Sequence, residues 1–372
     1  MNYTKLKIPT VLLSLLPISI IIGSSVSLLN VLLFSLYFMI IYFSKNNIKI
    51  KDTKSVLLLL ILNLYLIFNS VISVDIYSGI YRNFGFIRFI LFFLMINYLF
   101  FINEKSSNVL KVWSIVFFII LIDIYIERLT GSNIFGLGKI EINGIPQEHG
   151  PRVTSFFRNE PIAGAFICGF SFIVLGYILG FLKAQKKLKI FGFIIILTCL
   201  VGIMLTGERS NGLKALIGLL IFISIIDYVK LKNKLFVFFG ILAIFFFLVN
   251  FSDYVKYRYV DQFYSKIKTK DDRENFLNNS LYIKLYKSGI HVFKNKPWFG
   301  VGNKNYRVET CDVKKNLVHN EYLCSTHPHQ IFIEMLSEHG IIGAIIILSI
   351  IFYLIFRIIR KIIDGRNYIQ VG

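Results

Sequence analysis

The sequence predicts an all-α protein, a polytopic transmembrane helical bundle of about ten helices with a large, mainly helical loop outside the membrane. Three observations predict it. Of 372 residues, 55% are hydrophobic and only 17% are charged, against roughly 45–50% and about 25% in a soluble domain. The apolar residues fall in uncharged runs of membrane-crossing length, about 20 residues with a working range of roughly 17–25. The 41 Lys and Arg against 21 Asp and Glu give a net charge of +20. In a soluble chain that excess would point to nucleic acid; here it collects between apolar runs, as it does in cytoplasmic loops of membrane proteins. Nucleic acid is therefore excluded as a partner.

The elements follow in order. The uncharged stretch between Lys7 and Lys45 holds two helices turning near Gly23-Ser24-Ser25. Further spans are Ser55–Val74, Phe84–Phe101, Asn108–Tyr125, Pro161–Leu182, Ile190–Leu205, Gly212–Ile226 and Leu235–Phe251, and the last is Gly340–Phe356. The first apolar run continues straight into a second span, which reads as a start-transfer anchor and not a cleaved signal peptide.

Lysine placement sets the expected orientation. With the N-terminus in the cytoplasm, the inner loops are Ser44–Lys54 with four Lys, Asn103–Lys111, Lys183–Lys189 with four Lys, and Lys230–Lys234 with three. The tail Arg357–Gly372 adds three Arg and one Lys, and the outer loops Asp75–Asn83 and Gly207–Asn211 carry one Arg each. Both termini are thus expected inside, in a bacterial inner membrane. The chain divides into N-terminal transmembrane helices (1–126), a smaller periplasmic loop (127–160), transmembrane helices (161–251), a large periplasmic loop (252–338), and a last helix with a basic tail (339–372). Long translocated loops are exempt from the charge rule.

Four cysteines divide by position. Cys168 and Cys199 lie inside apolar runs and read as packing residues. Cys311 and Cys324 lie in the large loop, where an oxidising compartment favours a disulfide, worth about 3 kcal/mol in the chain-entropy model. Free thiols remain open, as does a zinc site with His327 and His329, although C-x12-C-x2-H-x-H departs from usual zinc spacing.

Ionisable residues in or beside spans are costly and mark functional candidates. Asp123, Arg209, Lys214, Asp227 and Glu160 qualify. Asp227 beside Lys230 reads as a surface charge, and Lys214 can snorkel. Arg209 lies in Thr206-Gly207-Glu208-Arg209-Ser210-Asn211-Gly212, a turn that could be built without an arginine. A salt bridge to Glu208 or a headgroup anchor is the plainer reading.

The large loop is denser in candidates. It carries 14 Lys and Arg, 10 Asp and Glu, and His291, His319, His327 and His329. An outward basic surface beside a membrane suits an anionic headgroup or a diphosphate. Ser280–Lys294 reads as an amphipathic helix, with Leu281, Leu285 and Ile290 apolar and Lys284 and Lys287 polar. Pro297-Trp298-Phe299-Gly300-Val301-Gly302 reads as a tight turn. Its G-x-G lacks the third glycine and preceding strand of a nucleotide fingerprint.

In Ser325–Gly340, Pro328 suits a first helical turn capped by Thr326 or His327. That places His329 in the first turn, where the helix dipole disfavours imidazolium and keeps a general base neutral. Glu334 and Glu338 share a helical face. Two surface histidines and a solvated acidic face are the bland alternative. A base and arginines at a membrane surface suit one reaction type. Arginine neutralises a diphosphate leaving group while the base deprotonates an attacking hydroxyl.

These motifs resemble those of the O-antigen ligase and polymerase superfamily of membrane glycosyltransferases. Arg209-x3-Leu213 is similar to its R-x3-L signature. His329-Gln330, nine residues, then Gly340-Ile341-Ile342-Gly343 is similar to H-[NSQ]-x9-G-x-x-[GTY]. Pro297–Gly302 resembles the family's P-x-x-G-x-G, and Arg152-Val153-Thr154-Ser155-Phe156-Phe157 with Glu160 and Gly164 resembles another recurring stretch. The resemblance spans roughly residues 120–360.

It implies transfer of a glycan from undecaprenyl diphosphate to an acceptor hydroxyl, with inversion and with no metal or cofactor. His329 would activate the acceptor and Arg209 would hold the diphosphate. The acceptor is a lipid A-core sugar in a ligase or a second lipid-linked glycan in a polymerase, with the ligase slightly favoured. Further substrate-binding candidates are Arg307, Lys284, Arg152, Arg158, Glu160, His327, Glu334 and Glu338. Arg307 stands in for the family's second loop arginine, whose common position falls near Tyr282. A Cys311–Cys324 disulfide would hold Arg307 near His329. A lipid-linked sugar flippase is a weaker reading, because no internal repeat is found.

Overall fold

The computed structural model describes residues 6–44, 52–102, 106–136, 141–142, 145–146, 152–158, 160–184, 188–225, 230–318 and 321–363. Asp227, His319 and many lysines of the expected inner loops lie outside the described residues. Among the described residues the protein is all-α apart from a short hairpin pairing Glu141–Ile142 with Ile145–Pro146.

Among the described residues, seven helices are long and apolar enough to cross a membrane: Ser24–Ser44, Thr53–Val71, Ile76–Phe100, Ser107–Thr130, Ala163–Phe181, Leu231–Phe251 and Ile331–Arg360. The other expected spans are helical but shorter. Residues 7–22 break into Lys7–Ser14 and Leu16–Ile22, with Pro17 in the first turn of the second piece. Leu188–Leu205 and Arg209–Ile225 complete the set. The latter begins at Arg209 and not at Gly212, so the arginine opens the helix.

The chain forms two compact units. The first comprises Met1–Asn30, Glu104–Tyr264 and Ile359–Gly372, and the second Val31–Asn103 and Ser265–Ile358.

In the first unit, Ser106–Thr130, Ala163–Ala184, Leu188–Leu205 and Arg209–Ile225 pack together. Each contributes an apolar stripe at helical spacing: Phe117, Ile120 and Ile124; Ile167 and Leu175; Ile196, Leu200 and Ile203; Ala215, Leu219 and Ile223. The opposite face of Ser106–Thr130 leaves Ile115, Ile119 and Ile122 more than half exposed. A helix apolar all round, half buried by neighbours, is what lipid requires of a span.

The second unit joins three N-terminal spans, the first of them from Val31 on, to most of the large loop and the last span. Asparagines carried by apolar helices make the join. Asn69 Nδ2 donates to the Phe299 carbonyl at 2.7 Å, and Asn303 N–H donates to Asn69 Oδ1 at 3.0 Å. Asn63 and Asn83 cross-link their helices through backbone carbonyls, each at 2.7 Å. Val74 N–H donates to the Val301 carbonyl, and the Asp75 and Asn305 backbone and amide groups bond reciprocally. Satisfied amides inside apolar surroundings hold such joins, because an unpaired amide there costs several kcal/mol.

Candidate active site

The histidine segment belongs to the second unit. Its helix begins at Ile331, not at Pro328, so His329 does not occupy a first helical turn. The cap is Gln330, whose Oε1 accepts the Ile333 N–H at 2.6 Å. Thr326 Oγ1 instead meets His327 Nδ1 at 2.8 Å, and Ser325 Oγ donates to the His327 carbonyl. Spent on these local bonds, neither hydroxyl is left to cap. His329 sits before the helix in the left-handed region at φ 57°, a conformation costly for a side-chain-bearing residue and concentrated at functional sites.

His329 lies between two rings. The His327 centroid is 4.1 Å away, and Tyr282 presents its ring edge-on at 5.9 Å. Shielding by these neighbours and the adjacent His327 hold the imidazole below its ordinary value, against the pull of Glu334. Both effects favour the neutral imidazole, and they act through its neighbours and not through a first-turn position.

Glu334 and Glu338 do not form a solvated face. Glu338 is buried and accepts the Tyr306 N–H at 3.4 Å, and Glu334 pairs with Lys304 Nζ at 3.5 Å. Lys304 is itself left-handed, at φ 61°. The acidic helix face thus docks on the turn that follows Pro297–Gly302. The same turn meets the helix backbone to backbone. Val301 and Gly302 N–H donate to the Ser337 and Glu338 carbonyls at 2.9 Å, and Ile341 N–H returns to the Pro297 carbonyl at 2.8 Å. At Gly340 the helix breaks, with φ 64° and ψ −169°.

Cys311 and Cys324 are disulfide-bonded, which removes both sulfurs from any zinc site with His327 and His329. Arg307 is exposed on the short helix Tyr306–Thr310, one turn before Cys311. Lys284 is exposed on the helix Leu281–Asn295, two residues beyond Tyr282.

Arginines gather in the first unit. The turn Thr206–Glu208 takes a left-handed Gly207, φ 75°, whose missing Cβ leaves room for the Tyr254 hydroxyl. Arg258 grips the Gly207 carbonyl through Nε and Nη2, at 3.1 and 2.8 Å. Arg128 stacks its guanidinium 3.3 Å over the Tyr254 ring. Buried Glu208 accepts from Gly164 N–H at 2.5 Å and Asn211 Nδ2 at 2.6 Å. Burial pushes its carboxyl up, against these bonds and the charge of nearby Arg152. Burial also raises the Tyr254 and Tyr259 phenols; Arg128, Arg258 and Arg152 act against the first, and Arg258 and Arg209 against the second. Arg128, Arg152, Arg209 and Arg258 thus surround one turn.

The stretch Arg152–Phe157 is placed by two buried acids. Asp123 accepts from Ile134 N–H and the Ser155 hydroxyl, and Glu127 accepts from Thr154 and Ser155 N–H, at 2.5–2.9 Å. Val153 N–H donates to the Thr206 carbonyl. Asp123 is accordingly a clamp on the loop. Arg158 and Glu160 are exposed, and so is Lys214.

Sequence reasoning missed Arg128, Arg258, Glu127 and Asn69. Glu127-Arg128 and Asn69 sat at the ends of apolar runs, where the rule for ionisable and polar residues in spans applies. Arg258 stood among many loop cations with no local mark.

A multi-pass membrane helical protein with a histidine held in a left-handed turn between two rings, and an arginine-ringed turn, is the class these features define. Residues 193–348, under half of the chain, match the family described as O-antigen ligase. Those residues are thus similar to the O-antigen ligase family, in line with the resemblance of the motifs they contain. The match includes Arg209, Arg258 and His329, while Arg128, Arg152 and the N-terminal helices lie outside it. No curated protein matches the chain.

Proposed function

We propose that this protein is a periplasm-facing, inverting glycosyltransferase of the inner membrane. It moves an O-antigen-type glycan from undecaprenyl diphosphate to a hydroxyl of the lipid A-core. The Lys-rich loops and both termini face the cytoplasm, as the positive-inside rule requires. The observation that carries the reading is the chemistry of His329. A neutral imidazole held in a strained turn can accept the proton of an attacking hydroxyl.

The arginines serve the leaving group. Attack at the anomeric carbon breaks its bond to the diphosphate, which departs with growing negative charge. Guanidinium forks from Arg209 and its neighbours neutralise that charge without a metal. One proton moves from acceptor to His329, and the electron pair of the broken bond leaves on the diphosphate.

The test uses purified protein in liposomes containing an undecaprenyl-diphosphate-linked repeat and rough lipid A-core, resolved on a gel. Glycan on the lipid A-core is the expected result. A ladder remaining on the carrier lipid would instead mean a polymerase, with the same residues serving another hydroxyl. Chelator should leave either product unchanged.

A further inference from the structure

Beside the helix Leu281–Asn295, within the second unit, lies a groove of about 590 Å³. Lys284, Lys287 and Lys294 rim it, together with His291 and Glu321, and Ile290, Tyr322 and Leu323 complete its lining. Its one carboxylate is already engaged, with Glu321 Oε2 2.5 Å from His291 Nδ1. Among the described residues, the three lysines have no ion-pair partner. A cation rim left unbalanced around a concave surface attracts an anion.

The size and lining narrow its class. The volume falls within the roughly 300–1,000 Å³ of small-molecule sites and greatly exceeds a lone phosphate. Exposed Ile290, with Leu323 and buried Tyr322 beneath it, suits the apolar face of a sugar ring, with the lysines at the rim. Tyr322 is held in place, its hydroxyl accepting from Asn295 Nδ2 at 3.0 Å and donating to Glu309 at 3.4 Å. Lysine is a point charge on a flexible stem, so it suits a phosphate or carboxylate substituent presented at varied angles.

The groove also has a place relative to His329. Tyr282, which packs on that imidazole, lies on the same helix two residues before Lys284, about 3 Å along the axis and about 200° around it, so groove and histidine flank one helix from different sides. Tyr322 and Leu323 lead directly into disulfide-bonded Cys324 and the histidine segment. We propose that the Lys284–Lys287–Lys294 groove binds an anionic oligosaccharide, its charged substituent on the lysines and a sugar ring on Ile290. This deepens the transfer reading by giving the acceptor glycan a negative charge held on the helix that also meets His329, and on that point it rests on that reading.

The test is a binding measurement that needs no turnover. The full-length protein carrying His329→Ala is placed in phosphatidylcholine nanodiscs. It is titrated with a trisaccharide bearing one phosphate monoester and with the same trisaccharide lacking it. The phosphorylated sugar should bind about tenfold more tightly, a difference removed by K284Q/K287Q/K294Q and kept by K284R/K287R/K294R. Equal affinities, or a preference indifferent to the glutamine variant, would overturn the proposal. Displacement by equimolar inorganic phosphate would reduce the groove to a phosphate site, and abolition by phosphatidylglycerol nanodiscs would make it a headgroup site. Either outcome overturns the sugar. Binding as expected, with no glycan transferred by the wild-type protein in the liposome assay, would sink the transfer reading alone.

Discussion

Gly340 and Trp298 meet through their backbones. The Trp298 carbonyl accepts the Ile342 N–H at 3.2 Å across the break at Gly340, where a Cβ would collide with that same carbonyl. Two motifs far apart in sequence, the glycine after the histidine and the P-x-x-G-x-G turn, are halves of one junction. It fixes the start of the last span against the turn that carries Lys304.

Gly340→Ala should therefore lower stability through both positive φ and lost space, by about 1–3 kcal/mol. The apparent melting temperature of the detergent-purified protein should fall by roughly 5 °C. An unchanged melting curve would show that the junction tolerates a side chain and that its glycine answers another need.

His329→Ala should abolish transfer with normal protein level. The pH profile adds a signed expectation. Neighbouring rings hold this imidazole below its ordinary value of about 6.5. A base works only when unprotonated, so kcat/KM should be level at pH 7 and fall as pH drops through that lowered value. An acid limb centred above pH 7 in the wild type would contradict the assignment.

Arg209→Lys should reduce kcat/KM on the order of a hundredfold, because an ammonium cannot reproduce a planar fork on a diphosphate. Wild-type turnover in this variant would leave Arg209 a structural residue.

Arg258 carries a different expectation. It ties the loop to the Gly207 carbonyl by two N–H donors, so Arg258→Lys loses at least one of them. Activity should fall about tenfold, the value of a charged hydrogen bond. Limited proteolysis of the loop should quicken in parallel. Lost activity with an unaltered digest would indicate direct contact with substrate.

Replacing Cys311 and Cys324 by serine should cost about 3 kcal/mol in the chain-entropy model. Maleimide labelling of the denatured wild type should find only Cys168 and Cys199 reactive before reduction, and all four afterwards.

Membrane class, span positions and the motif residues Arg209 and His329 were legible in the sequence, because lipid imposes long uncharged runs and each motif is local. Local reading ended at the helix cap, where Gln330 displaced Thr326 and His327 by a competition among side-chain hydrogen bonds that spacing cannot rank. It also ended at Glu338, which looked solvated beside Glu334 until Tyr306 was folded against it.

Sequence by itself determined what each segment prefers, through its length of apolar surface, its breaks and its charge. Only the tertiary structure decided which distant groups meet. Asn69 holds a turn 230 residues later through the Phe299 carbonyl, and Arg128 stacks on Tyr254. The physical reason is that a polar group in an apolar run must find a partner, yet nothing along the chain specifies which one. That choice follows from packing, which brings one carbonyl or one ring within reach and leaves the alternatives out of range.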